Sequence, residues 1–129
     1  MTAHVEVRRE LGADVEAVWG QIGRFDDLRW TGDDEWEFDG STRTLAAHGL
    51  KEALVSSSEH SYTYRMVEGP FSNFEVTISA APLPDGKGSV AIYAASGDLD
   101  DAAQDMVKMG ALEALDGVAS KLAQGHERP

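Results

Sequence analysis

The stretch from Asp98 to Leu122 constrains this chain more than any other, because it reads as one long, uninterrupted helix. At helical spacing, Leu99, Ala103, Met106, Val107, Gly110, Ala111, Ala114, Leu115, Val118 and Leu122 fall on one broad face. Asp105, Lys108, Asp116 and Ser120 fall mostly opposite. Asp98 is the expected N-cap, and Asp101 stands three residues on, close to a capping box. Asp100, Asp101 and Asp105 place negative charge where the helix dipole favours it. Gly125 follows the last apolar residue and is the expected stop, with Gly125 to Pro129 as a frayed tail. The middle of the apolar face is small: Ala103, Gly110 and Ala114. Small residues there either let the helix lie close against a sheet or leave room for a ligand.

A helix with so wide an apolar face needs a partner, and the preceding residues supply a sheet. Ala3 to Leu11 alternates as a strand, with Val5, Val7 and Arg9 against His4, Glu6 and Arg8. Gly12-Ala13-Asp14 breaks it, and Asp14 caps a helix expected to run to about Gly23. Val15, Val18, Trp19 and Ile22 form its apolar face. A second short helix is expected over Phe25 to Trp30. Strands follow at Glu35–Asp39, Thr42–Ala47 and Leu50–Ser57, the last two joined by a tight hairpin at Gly49. Tyr62, Tyr64 and Met66 alternate in the next strand, then Phe74, Val76 and Ile78 after a break at Gly69-Pro70. Val90, Ile92 and Ala94 mark the last strand. Short connections between successive strands imply an antiparallel meander. The expected fold is therefore α+β and a single domain over residues 1–129. A curved sheet of about six or seven strands grips the long C-terminal helix, and two short helices lie near the N-terminus.

The motifs along this frame resemble the START/birch-allergen-like superfamily (SRPBCC, helix-grip), and within it the polyketide cyclase/dehydrase-like branch. Ala13-Asp14-Val15-Glu16-Ala17-Val18-Trp19 resembles the family's first helix. Gly23, Phe25, Leu28 and Trp30 resemble a "G-x-F-x-x-L-x-x-W" segment. Arg43 and Leu45, then Gly49, then Glu52 and Leu54 resemble an "R-x-L … G … E-x-L" hairpin. Tyr62 to Pro70 resembles a "Y-x-Y-x-I-x-x-G-P" strand. After Pro70 the chain departs, carrying Phe71-Ser72-Asn73 where the family often has a second proline. The resemblance implies a cavity between the concave sheet and the long helix, and a small, largely apolar ligand such as a polyketide. Fold alone does not settle activity, because the superfamily includes cyclases, lipid and hormone binders.

The hairpin carries the sharpest candidates for chemistry. If Ala47 pairs near Leu50, then Arg43, Leu45, Glu52 and Leu54 share a face, with Arg43 and Glu52 diagonal neighbours. The two leucines point that face inward. An inward Arg–Glu pair is either a structural ion pair or a working one, Arg43 polarising a carbonyl while Glu52 moves a proton. Tyr64 brings a polar tip to an apolar wall and completes the catalytic candidates Arg43, Glu52 and Tyr64. Trp19, Trp30, Tyr62, Met66, Phe74, Met106 and Gly110 are the candidate ligand-binding residues. Each is equally readable as ordinary core. Trp36, Phe38 and Phe71 are the other large rings, and some are placed for the cavity mouth.

Composition narrows the rest. Against 23 Asp+Glu there are 11 Lys+Arg, a formal net charge of -12. That argues against nucleic acid and anionic membrane as partners. With no cysteine, disulfides, thiolate metal sites and Cys nucleophiles are excluded. No signal peptide is visible in Met1-Thr2-Ala3-His4-Val5-Glu6, so a cytoplasmic location is expected. His4, His48, His60 and His126 are scattered, and neither they nor the acidic run Asp33-Asp34-Glu35 read as a metal site. No cofactor is expected. A homodimer is compatible with the sequence and not required by it. The expected function is binding of a small, largely apolar molecule, either as a metal-free acid–base cyclase/dehydrase or as a non-catalytic carrier. A less favoured class is a protein-interaction module using the sheet.

Overall fold

The computed structural model describes residues 2–23, 36–46 and 49–127. Seven strands form one antiparallel curved sheet in the order β1-β7-β6-β5-β4-β3-β2. In chain order these are β1 (Ala3–Leu11), β2 (Glu37–Asp39), β3 (Thr42–Leu45), β4 (Leu50–Ser58), β5 (Ser61–Glu68), β6 (Ser72–Pro82) and β7 (Ser89–Asp98). Helix α1 (Val15–Ile22) follows β1, and helix α2 (Asp101–Glu127) ends the chain. From β2 to β7 the sheet is a plain meander, and β1 adds itself beyond β7. Gly40 and Gly49, at φ +61° and +65°, take the left-handed turns that bracket β3.

Of the two short helices expected near the N-terminus, the described residues contain α1 alone. The second, over Phe25 to Trp30, lies outside them. Asp14 caps α1 as its sequence suggests: its carboxylate accepts from the Ala17 amide at 2.9 Å. Val18 and Ile22 on its apolar face are fully buried. The strand expected from Glu35 is described only from Glu37.

Helix α2 departs from expectation at both ends. Its cap is Asp100, whose carboxylate accepts from the Ala103 amide at 2.8 Å. Asp98 instead ends β7, where it pairs with Ser72 and accepts from the Asn73 amide group at 2.7 Å. Sheet pairing thus takes the residue that local capping preference would have used. At the other end α2 continues through Gly125 to Glu127. A helical glycine costs only about 1 kcal/mol relative to alanine, too little to end a helix when no proline follows at once. Val107, Ala111, Leu115 and Val118 form the buried stripe of α2. That stripe packs chiefly against β1 and α1, at one side of the sheet. Among the described residues that stripe leaves the opposite side, carrying β3 to β5, uncovered.

Candidate functional site

The hairpin of β3 and β4 sets the floor on that side. Leu45 pairs with Leu50, so Arg43 stands directly opposite Glu52 rather than diagonal to it. The register differs from the expected one by two residues, an even shift, so the same side chains still point inward. Arg43 is 2% exposed and Glu52 6% exposed. The Arg43 Nε donates to Glu52 Oε1 at 2.7 Å. The guanidinium also lies over the Tyr64 ring at 4.3 Å and over the Trp36 ring at 5.4 Å. The Trp36 indole N–H is buried and makes no hydrogen bond among the described residues.

Tyrosines complete the floor. Tyr64 and Tyr62 alternate inward along β5, with rings 6.2 Å apart. Tyr93 reaches the same wall from β7, beside Tyr64. Burial pushes the Tyr93 phenol up to about 12, eased by the neighbouring Tyr64 hydroxyl. Burial likewise holds Tyr64 well above its ordinary value, and Tyr62 above its own against the opposing Arg43 charge. Desolvation also raises the Glu52 carboxyl above the usual carboxylate range, with Arg43 pulling the other way. Arg43 stays charged: burial works against it, and Glu52 and the tyrosines outweigh burial.

Above this floor is a cavity of about 480 Å³, closed on its far side by α2. Arg43, Glu52 and Tyr64 all line it, and so do Met66, Phe74, Met106 and Gly110. Trp36, Leu50, Phe71 and Tyr93 add to the wall, and Glu113 stands on the helix side. Phe71, which occupies the segment after Pro70, packs against Phe74 with ring centroids 5.2 Å apart. Met106 and Met109 are more than half exposed on α2. Gly110 fronts open space, with nothing within 4 Å of where a Cβ would stand. Of the two readings of the small helix residues, packing does not account for this one.

Two candidates lie elsewhere. Trp19 packs edge-on to His60 at 5.9 Å and against Tyr62 at 6.0 Å. Tyr62 is buried between Trp19 and Tyr64. Both support the floor from behind rather than line the cavity. Trp30 lies outside the described residues. Tyr93 is the site residue that sequence reading missed. In β7 the apolar alternation seemed to run through Val90, Ile92 and Ala94, but Ala91, Tyr93 and Ala95 face inward, opposite Ala80, Ile78 and Val76. Alanines on both faces hid the phase of the strand.

Every tyrosine in the chain belongs to this one cluster. Phenolate absorbance in the near ultraviolet therefore reports on the site alone. It should stay flat through pH 10, the ordinary tyrosine value, while circular dichroism shows the fold intact. With folded values raised above unfolded ones, the stabilising contribution is complete below pH 10. It falls away as pH rises toward the Tyr93 value of about 12. A rise of about one sixth of the amplitude at pH 10, where an ordinary phenol is half ionised, would place one of the three in water.

Sequence spacing pointed to no metal site, yet among the described residues the fold brings one mixed cluster together. Ligand atoms of Glu16, Glu59 and His60 lie within 4.8 Å of one another. Glu16 and His60 are 44 residues apart, already joined at 2.8 Å, and Glu16 is exposed. The cluster lies beside Trp19, on the far side of Tyr62 from the cavity.

A meander closed on a long helix, with a cavity between them, defines a helix-grip fold. Residues 2–125 match the family of polyketide cyclase/dehydrase and lipid transport proteins, and the chain belongs to that family. Its fold is similar to that of a protein from Nitrosospira multiformis, at 19% identity and TM-score 0.83, covering 98% of this chain and 100% of that one. XoxI from Bacillus cereus is similar at 19% identity and TM-score 0.82, with 98% and 99% covered. DynU16, a protein of the dynemicin biosynthetic locus, is similar at 15% identity and TM-score 0.74. The match covers 95% of this chain and 48% of DynU16. No curated protein matches in sequence. No helix among the described residues is long and apolar enough to cross a membrane.

Proposed function

We propose that this protein binds a small, largely apolar molecule in the cavity under α2, and that it acts there as a polyketide cyclase or dehydrase. The observation that carries the reading is the convergence of Arg43, Glu52 and Tyr64 on one wall of a largely apolar space. Aldol closure needs a base for a proton beside a carbonyl, and a donor for the oxygen that gains charge. Glu52, with its raised carboxyl value, is the base nearer to working pH. Arg43 holds Glu52 in place, and the Tyr64–Tyr93 pair offers hydroxyl protons to the oxygen. The apolar wall folds the chain so that its reacting carbons meet.

A carrier is the second reading, favoured by the near-complete burial of Arg43 and Glu52. A side chain 2% exposed, and tied to its partner, has little reach toward a substrate. The two readings share a ligand and part at turnover.

Gly110→Leu tests the shared part. Leucine should raise stability by about 0.5–1 kcal/mol, because it replaces a mid-helix glycine and meets no neighbour. The same side chain enters the cavity and should weaken ligand binding by about tenfold or more. Native mass spectrometry of the purified wild type, against its denatured mass, should show a co-purifying small molecule that the variant lacks. Equal ligand occupancy in the two proteins would move the binding site away from α2.

A further inference from the structure

We infer that the cavity selects uncharged molecules carrying a hydrogen-bond-accepting oxygen, and that Tyr93 is the residue that reads that oxygen. This rests on the cavity being the ligand site. Two independent observations lead to it.

The first is charge. Among the described residues lining the cavity, Arg43 is the one cation, and Glu52 and Glu113 are carboxylates. The Arg43 charge is already matched by Glu52 at 2.7 Å and is almost wholly buried. An anionic ligand would enter a space whose cation is taken, past the Glu113 carboxylate, in a protein of net charge -12. Burying its charge unpaired is strongly unfavourable. A fatty-acid or aryl carboxylate is thus excluded, although an apolar cavity would otherwise welcome its tail.

The second is reach. Tyr62 and Tyr64 are buried, whereas Tyr93 keeps part of its side chain open where it lines the cavity. Behind it the wall continues into Tyr64, which is itself buried. The Tyr93 O–H is thus the hydroxyl of the tyrosine cluster that a ligand's oxygen can meet. The phenol stays protonated throughout the neutral range. Among the other described wall residues Leu50, Met66, Phe71 and Phe74 have no donor, and the Trp36 indole N–H is itself buried. The ligand's oxygen is therefore fixed at one end of an apolar slot.

Three naphthalenes of one substitution pattern test this: the methyl ketone, the ethyl hydrocarbon and the carboxylate. Isothermal titration calorimetry at neutral pH should give the ketone about fivefold tighter binding than the hydrocarbon, as one neutral hydrogen bond supplies. It should bind at least about tenfold tighter than the carboxylate. Tyr93→Phe should bring ketone and hydrocarbon within about twofold of each other and leave the hydrocarbon's affinity as it was. In the wild type, the carbonyl carbon of labelled ketone should move downfield on binding, a readout that needs no variant. If all three bind alike, or the ketone's preference survives Tyr93→Phe, the assignment of Tyr93 falls while the cavity reading stands. If none binds, the cavity reading falls and this one with it.

Discussion

Arg43→Met should destabilise the protein by about 3–5 kcal/mol, the scale for removing one partner of a buried ion pair. The melting temperature should fall by roughly 10–20 °C for a domain of this size. The reason is Glu52, which loses the charge at 2.7 Å and the Nε–H bond that together make its burial tolerable. Adding Glu52→Leu to Arg43→Met should restore most of the loss, because an apolar pair of similar volume has no charge left to desolvate. Thermal denaturation of the single and double variants decides it. Equal losses in both would mean that the stacking of Arg43 over Tyr64 and Trp36, not the ion pair, holds the floor together.

Glu52→Gln should lower turnover of a linear poly-ketone by about 10²–10⁴-fold, the range supplied by a positioned general base. Glutamine keeps the shape and can still accept from Arg43, so ligand affinity should change little and stability should fall by about 1–3 kcal/mol. Measuring turnover, affinity and melting temperature on the same preparation separates chemistry from unfolding. Turnover equal to wild type would remove Glu52 from the proton transfer and favour the carrier. Arg43 and Glu52 would then be a structural device.

The reading of the sequence succeeded where a pattern has one physical cause. Helix α2 followed from a stripe repeating over many turns, and the Arg43–Glu52 meeting followed from hairpin geometry, robust to the actual shift of two residues. Convergence of both with Tyr64 then needed only the fold. It failed where two rules competed. Asp98 has the right side chain for a cap, but β7 pairing with Ser72 claimed it, and Asp100 took the cap. Tyr93 was hidden because Ala91, Ala94 and Ala95 carry no strong inside–outside signal. Trp19 and Tyr62 are as apolar as true cavity residues, and only tertiary packing puts them behind the floor. The Glu16–His60 meeting could not be read locally, since a helix and a distant turn supply its two halves.

The place of β1 in the sheet has a consequence for how the chain is made. Its first strand pairs with its last, Ala3 with Gly97, so the longest loop in the fold closes at the β1–β7 seam. The meander from β2 to β7 can form from near neighbours as it leaves the ribosome, but the seam must wait until nearly the whole chain is out. Loop closure over such a span is the slow, entropically costly event in assembly. Until it occurs, the edge of β7 is unsatisfied and α2 lacks β1, the strand it packs against most. Newly made protein is therefore most open to aggregation in that interval. Substitutions that weaken β1 should lower yield in cells before they alter anything measured on the purified molecule.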